Sequence, residues 1–219
     1  MWDIVFEHKD FVVINKPCGV SVHSESEGEV CLTASLAQQL GVERVWLVHR
    51  LDKATSGLLL FALNRDSAAA LSAQFAEKTM RKTYLALGTH KPVKKQGWVK
   101  GGMARSRRGT WKLMRDEDNF AVTRFSSQSL KPGLRLFVLQ PFTGKTHQLR
   151  VAMKSIGSPI LGDTLYGGDE AEHLFLHAWR LVFDYRGEHF DIRVAPDKTW
   201  PSEIDLSACL GSDESEEKQ

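Results

Sequence analysis

The chain has 219 residues, of which 42% are hydrophobic and 26% charged, a balance that allows one large folded domain with a substantial core. No apolar stretch approaches the roughly 20 residues of a membrane-spanning helix, and the first residues lack the basic and apolar regions of a secretory signal. Three cysteines at no metal-like spacing indicate free thiols in a reducing compartment, so we expect a cytoplasmic protein.

The net charge of +2 conceals two uneven segments. Residues 91–115 carry nine Lys or Arg and no acid, interleaved with Trp98 and Trp111. A hairpin that faces a polyanion and a solvated basic loop are both compatible with this composition. Residues 211–219 carry four acids and one lysine with no apolar side chain, which predicts a disordered acidic tail after a domain spanning 1–210.

The first third of the chain predicts strands with one short helix between them. β-branched residues predict a strand over 11–14. Thr33 is expected to cap a helix over 34–40. A short strand is predicted at 46–49, and the apolar run 58–63 predicts a strand that is buried on both faces.

The middle of the chain predicts a helix followed by a strand. Asp66 is expected to cap the helix, and Leu71 and Phe75 fall on its inner face. Alternation over residues 82–88 predicts a strand that carries Tyr84.

The remaining elements set the fold class. Four further strands are predicted, at residues 120–125, 134–140, 174–185 and 189–195. Between the second and the third of them, Leu149 and Met153 share a helical face, and Gly157 supplies a stop. Because strands outnumber helices and few follow strict βαβ alternation, the predicted class is α+β, with a mixed, largely antiparallel central sheet flanked by helices and loops.

Asp52 is the first candidate for chemistry. It lies in a turn just before the buried strand 58–63, where a carboxylate is costly to desolvate and needs a cation or hydrogen-bond donors. The alternative is a turn aspartate whose carboxylate bonds the backbone amides of Ala54 and Thr55. Position in the sequence does not separate the two.

Arg150 and Tyr84 are the other two candidates. Arg150 lies on the predicted helix, on one face with His147, and is either a solvent arginine or the partner that keeps Asp52 ionised. Tyr84 is either a core residue or a ring that stacks on a planar substrate. The local sequence leaves both alternatives open.

Motifs for metal and nucleotide chemistry are absent from the sequence. His147 and His177 lack a histidine partner at helical spacing, and no HExxH, CxxC, GxGxxG or GxxxxGK[ST] pattern occurs. We therefore expect no metal and no cofactor. The residues alone indicate an α+β protein with a possible affinity for nucleic acid.

Several blocks of sequence, in one consistent order, resemble the RluA family of RNA pseudouridine synthases. HRLDKATSGLLLFA at 49–62 resembles the family signature, and KTYLAL at 82–87 resembles its tyrosine motif. TGKTHQLRVAMKSIGSPILGDTLYG at 143–167 resembles its arginine motif and the segment that follows. The flanking strands at 15–23 and 176–183 also match, so the resemblance covers nearly the whole chain except the tail.

The resemblance implies a stand-alone catalytic domain that isomerises uridine to pseudouridine in structured RNA after flipping the base. Asp52 would be the essential aspartate, Arg150 its partner, and Tyr84 the ring stacked on the uracil. Further RNA-contacting residues are expected from the family motifs and from the basic segment: His49, Arg50, Thr55, Gly57, Lys145, His147, Leu149, Arg107 and Arg108.

The resemblance favours ribosomal RNA as the substrate. A transfer RNA pseudouridine synthase and a catalytically idle RNA-binding protein are the alternatives, although an idle protein has no need of Asp52, Tyr84 and Arg150 together. We expect RNA to be the partner, no membrane and a monomer. The sequence does not decide whether Asp52 attacks C1′, adds to C6 or removes the 2′ proton.

Overall fold

The computed structural model describes residues 1–22, 31–116 and 118–210, so the predicted acidic tail at 211–219 lies outside the described residues. The strands are β1 (Asp3–Glu7), β2 (Phe11–Lys16), β3 (Trp46–Leu47), β4 (Ser56–Ala62), β5 (Arg81–Gly88), β6 (Gln96–Arg105), β7 (Trp111–Met114), β8 (Ala121–Lys131), β9 (Leu134–Pro141), β10 (Leu176–Tyr185) and β11 (Glu188–Arg193). The helices are α1 (Leu32–Leu40), α2 (Arg65–Glu77) and α3 (Gln148–Ser155).

Within this part of the chain, the strands form one mixed sheet in the order β1-β2-β4-β10-β5-β9-β8-β6-β7, with β3 beside β4 and β11 beside β10. β4 and β10 run parallel, and the other described pairs are antiparallel. The predicted α+β class with a mixed, largely antiparallel sheet is confirmed. Among the described helices, none combines the length and apolar character needed to cross a bilayer.

The parallel pair joins two halves of the sheet at a glycine. Ala178 of β10 lies opposite Gly57 of β4, and Gly57 has a φ of +107°. A Cβ atom at position 57 would lie 2.3 Å from the carbonyl oxygen of Ala178. Only glycine combines this backbone conformation with such a close approach.

β4 is buried along its whole length because helices cover both of its faces. Leu58 and Leu60 pack in one core cluster with Leu71 of α2, whereas Leu59 packs in another with Leu36 of α1. This arrangement explains the continuous apolar run, since alternation is expected only where one face meets water. The predicted buried strand is confirmed.

Two helices start at residues other than those expected. α2 is capped by Asn64, whose side chain accepts the Ser67 N–H while the Ser67 hydroxyl accepts the Asn64 N–H. This capping box places Asp66 in the first turn rather than at the cap, where its charge still favours the helix N-terminus. α1 begins at Leu32, so Thr33 lies inside it.

α3 also begins later than its sequence pattern indicates. His147 precedes the helix with a left-handed φ of 57°, and Gln148 is the first helical residue. The prediction that His147 and Arg150 share one face of a regular helix is therefore wrong. The inner face of α3 carries Leu149 and Met153, as expected, and packs on β5 and β9 in a cluster that includes Leu139.

The basic segment 91–115 contains a hairpin, whereas its contact with a polyanion stays a prediction. β6 and β7 pair across it, and Arg107 and Arg108 occupy the exposed turn between them. β1 was not predicted; it pairs with β2 at the end of the strand order.

Candidate active site

A cavity of about 670 Å³ opens beside the N-terminus of α3. One wall is the 47–55 segment, which carries Asp52, and a second wall is the 141–150 segment, which carries Arg150. Tyr84 of β5 also lines the cavity. The structure thus brings the three predicted catalytic side chains to one cavity, of a size common for small-molecule sites.

The backbone around Asp52 is held by hydrogen bonds. The Thr55 N–H donates to the Asp52 carbonyl (2.9 Å), and the Gly19 N–H donates to the Lys53 carbonyl (2.9 Å). The predicted alternative placed the carboxylate on the Thr55 amide, but that amide bonds the main-chain oxygen instead. In the described part of the chain, no hydrogen bond or ion pair engages the carboxylate itself.

Lys16 also holds the backbone of the segment that carries Asp52. Its side chain is fully buried, and Nζ donates to the carbonyls of Pro17 (2.9 Å), Val20 (2.9 Å) and Lys53 (3.1 Å). Burial lowers the pKa of Lys16 to about 8, partly opposed by Cys18 and Asp52. The ammonium form therefore predominates at neutral pH and holds the loop that carries Asp52.

Arg150 is clamped by a different carboxylate from the one predicted. Nε donates to Oδ2 of Asp163 (2.8 Å) and Nη2 to Oδ1 (2.6 Å), and the Tyr166 ring lies 4.9 Å from the guanidinium carbon. The predicted pairing of Arg150 with Asp52 is thus wrong as a direct contact. Burial disfavours the charged guanidinium, but Asp163 and, at longer range, Asp52 raise the pKa of Arg150.

Asp163 reaches Arg150 because a tight turn presents it. The Asp163 N–H donates to the Ile160 carbonyl (3.0 Å), and the Asp163 carbonyl accepts from Tyr166 (3.1 Å) and Gly168 (2.8 Å). Gly162 has a φ of +84°, and a Cβ there would lie 1.8 Å from the His173 carbonyl oxygen. The sequence analysis quoted this GDTLYG stretch without assigning a role to Asp163 or Tyr166.

Tyr84 presents a neutral ring to the cavity. Burial, together with the charge of Asp52, raises the pKa of the Tyr84 phenol well above its usual range. The ring also packs against the clusters that contain Leu51 and Leu149. Its position suits contact with a planar group in the cavity.

Five of the predicted RNA-contacting residues line the cavity: His49, Arg50, Thr55, Lys145 and Leu149. His49 also has a structural role, because Nε2 accepts the Leu60 N–H (2.9 Å) and the ring stacks on Phe75 at 4.3 Å. Burial and the charge of Lys82 lower the pKa of His49 to about 3, so the imidazole is neutral.

The other four do not line the cavity. Gly57 lies against the backbone of Ala178 in the sheet. His147 bonds the Tyr166 hydroxyl (2.8 Å), and burial followed by the Arg150 charge lowers its pKa. The exposed Arg107 and Arg108 lie in the hairpin turn.

Lys82 and Gln148 are cavity residues that the sequence analysis did not identify. Lys82 Nζ donates to the Thr143 carbonyl (3.4 Å), and burial lowers the pKa of Lys82. The side-chain Oε1 of the buried Gln148 accepts hydrogen bonds from the Thr143 hydroxyl (2.7 Å) and the Lys145 N–H (3.0 Å), which fixes the 143–145 turn. No three His, Cys, Asp or Glu side chains within the described ranges converge as a metal site would require.

Comparisons with known proteins agree on one family. A family described as RNA pseudouridylate synthase matches residues 10–155. A Haemophilus influenzae protein called an uncharacterized RNA pseudouridine synthase is 55% identical over 196 residues, which are 89% of this chain and 87% of that protein. A Rickettsia bellii protein named ribosomal large subunit pseudouridine synthase C is 38% identical over 219 residues, covering 95% of this chain and 68% of that protein.

Solved structures agree with the sequence comparisons. Human RNA pseudouridylate synthase domain containing 4 matches with a TM-score of 0.76 and 28% identity over 90% of this chain and 89% of that one. The family match spans Asp52, Tyr84 and Arg150. The chain therefore belongs to the RluA family of RNA pseudouridine synthases, isomerases that convert uridine in RNA to pseudouridine.

Proposed function

We propose that this enzyme isomerises a uridine of ribosomal RNA, with Asp52 acting directly on the flipped nucleotide. The observation that carries the proposal is a carboxylate without a hydrogen-bond partner among the described residues, which faces a cavity of about 670 Å³ between Tyr84 and Arg150. A carboxylate in this position keeps both oxygens available to a substrate.

The reaction rearranges bonds within one nucleotide. The N1–C1′ bond breaks, the base turns, and C5 bonds to C1′; C5 then loses its proton while N1 gains one. No electrons are exchanged. An ionised Asp52 can serve by attacking C1′, by adding to C6 or by removing the 2′ proton.

The cavity walls supply what a flipped base needs. Unstacking a base costs a few kcal/mol, and stacking on an aromatic ring returns roughly 1–3 kcal/mol. Tyr84 offers that ring, and Leu149 offers apolar contact. The exposed Arg50 at the mouth can fill the place that the base leaves in the RNA.

Arg150 serves Asp52 through charge rather than through a direct bond. Its guanidinium is held by Asp163, and its positive charge still acts on the Asp52 carboxylate at longer range. Because Asp163 already balances Arg150, the three groups together keep one net negative charge. Asp52 therefore stays reactive rather than locked in an ion pair.

Ribosomal RNA is proposed because the Rickettsia bellii relative carries the name of a ribosomal large subunit enzyme. The basic hairpin, with Arg107 and Arg108 at its turn, is proposed to hold RNA phosphates outside the cavity. Residues 1–210 are proposed as one catalytic domain, since β1 and β11 belong to the same sheet. A monomer in the cytoplasm stays a prediction.

Release of tritium from RNA labelled at uracil C5 tests the role of Asp52. The unmodified protein should release label into water, and Asp52→Asn should lower the rate by at least about a hundredfold with similar RNA affinity. Asp184→Asn, at an exposed strand position, is the matched control. Equal release by the Asp52 variant would remove that residue from the reaction.

The substrate is tested by mapping pseudouridine in RNA from cells with and without the gene. A site lost from ribosomal RNA, and restored by the unmodified enzyme but not by Asp52→Asn, is the expected result. Loss from transfer RNA alone would favour the alternative substrate.

A further inference from the structure

Tyr166 joins the basic hairpin to the arginine of the active site. It is 1% exposed and lies in the turn that also presents Asp163. Its hydroxyl and its ring contact different parts of the molecule, and the proposed reaction gives neither of them a role.

The hydroxyl connects to the hairpin through the main chain. The Trp111 N–H, at the start of β7, donates to the Tyr166 oxygen (2.9 Å). The Tyr166 hydroxyl and His147 Nδ1 are 2.8 Å apart. Because the pKa of His147 is lowered, its ring is neutral, and Nδ1 can accept a hydrogen bond from the Tyr166 hydroxyl. One hydroxyl thus ties β7 to the residue that precedes α3.

The ring of Tyr166 contacts the catalytic wall. It lies 4.9 Å from the Arg150 guanidinium carbon and 5.9 Å from Lys154 Nζ, close enough for cation–π attraction. Asp163 holds the nitrogen edge of the same guanidinium. A shift of the Tyr166 ring would therefore move the surface that the guanidinium rests on.

The hairpin side of Tyr166 is a packed unit rather than a free loop. Tyr166, Met103 and Val151 belong to one buried cluster, against which Trp111 and Leu113 of β7 pack. Close-packed contacts transmit displacement because they have little room to absorb it. Arg107 and Arg108 are exposed at the tip of the same hairpin.

We propose that Tyr166 is a positioning residue that couples RNA contact at the hairpin to the placement of the Arg150 guanidinium near Asp52. The inference rests on the proposed function, because it requires RNA to engage Arg107 and Arg108. Tyr166 does not touch the substrate and acts through Arg150. RNA held at the hairpin fixes β7, β7 fixes the Tyr166 hydroxyl, and the ring then fixes the guanidinium.

Tyr166→Phe tests the link because it keeps the ring beneath the guanidinium and removes only the hydroxyl. We expect kcat to fall by about three- to tenfold, while KM changes by less than about twofold. Tyr185→Phe is the matched control, since the buried Tyr185 hydroxyl bonds Asp10 (3.3 Å) and Tyr185 does not line the cavity. Its kcat should stay within about twofold of the unmodified enzyme.

A mutant cycle separates coupling from packing. The hairpin variant Arg107→Ala/Arg108→Ala should raise KM and also lower kcat. When Tyr166→Phe is added, kcat should fall no further than in the lower of the two parents, because both changes cut the same link. Losses of kcat that multiply would overturn the coupling, and so would a Tyr166→Phe variant with normal kcat and only a lower melting temperature.

Failure of the coupling is distinguishable from failure of the proposed function. If the coupling is absent, the unmodified enzyme still releases tritium and Asp52→Asn does not. If the proposed function is wrong, Asp52→Asn releases tritium as fast as the unmodified enzyme, or only RNA other than ribosomal RNA releases it.

Discussion

The two walls of the cavity hold their charged groups in different ways. On one wall, hydrogen bonds grip the backbone around Asp52 and leave its carboxylate without a hydrogen bond or ion pair among the described residues. On the other, the Arg150 guanidinium itself is held by the two hydrogen bonds that it donates to Asp163. Backbone support suits a group that must react, whereas side-chain support suits a group that supplies a fixed charge.

The largest expected effect follows from breaking the ion pair between Arg150 and Asp163. Asp163→Asn leaves a buried guanidinium without its counter-charge, so we expect the free energy of unfolding to fall by about 3–5 kcal/mol. The released Arg150 can then turn to Asp52 and neutralise it, which should lower kcat by at least about tenfold. Denaturant unfolding and tritium release measure the two effects.

Asp191→Asn is the control for that change. Asp191 accepts hydrogen bonds from Arg180 and Arg193, but its side chain is 25% exposed against 1% for Asp163, so its loss should destabilise the fold less than the loss of Asp163 and leave kcat unchanged. Equal destabilisation by the two variants would contradict the contrast between a fully buried carboxylate and a partly exposed one.

The second-largest effect is expected from removing the Lys16 hydrogen bonds that hold the backbone near Asp52. Lys16→Met removes a buried ammonium group from three carbonyls, and we expect the free energy of unfolding to fall by about 3 kcal/mol. Turnover should fall with it, because the loop that carries Asp52 loses its brace. Lys131→Met, at an exposed position, should change neither quantity. An unchanged denaturation midpoint for Lys16→Met would show that the loop that carries Asp52 does not depend on Lys16 for its stability.

A smaller effect concerns His49 and acid. The folded-state pKa is about 3, below the usual 6.5, so between these values the unfolded chain binds a proton that the folded chain does not. Stability is therefore lost as pH falls through this window, by about 1–3 kcal/mol at pH 4.5. His49→Gln, which can still accept the Leu60 N–H, should lose less stability between pH 7 and 4.5. His189→Gln, at an exposed position, should lose as much as the unmodified protein.

The smallest effect is expected outside both walls. Replacing Arg107 and Arg108 with alanine should reduce the slope of log affinity against log salt by about two, if each contacts one phosphate. The measurement is RNA binding at several salt concentrations with the Asp52→Asn enzyme, so that turnover does not interfere. An unchanged slope would return the hairpin turn to the status of a solvated surface.

Much of the fold was predictable because its patterns are local. The apolar run at 58–63 needs only burial on both faces, and Leu149 with Met153 needs only helical spacing. The cap at Asn64 was missed because Asp66 has the same chemistry two residues later. β1 pairs with its neighbour β2, so the short apolar run at 4–6 could have predicted it. The parallel pairing of β4 with β10 depends on contacts between distant segments, which spacing does not encode.

The candidate site shows the same division. Family motifs identified Asp52, Tyr84 and Arg150, and the structure brings all three to one cavity. The partner of Arg150 was misassigned because Asp163 is 13 residues farther along the chain, and only the turn that contains Gly162 brings it back. Lys82 was missed because a lysine on a strand gives no sign that its amine points toward a cavity.

Gly57 has a consequence for anyone who wishes to redesign this enzyme. Any larger residue there would push apart the two strands that stitch the halves of the sheet together, directly below the wall that carries Asp52. Libraries that vary position 57 should therefore yield mostly misfolded proteins. Because the hairpin turn is exposed, we expect the fold to tolerate substitution there, so retargeting to other RNAs is best sought at that turn.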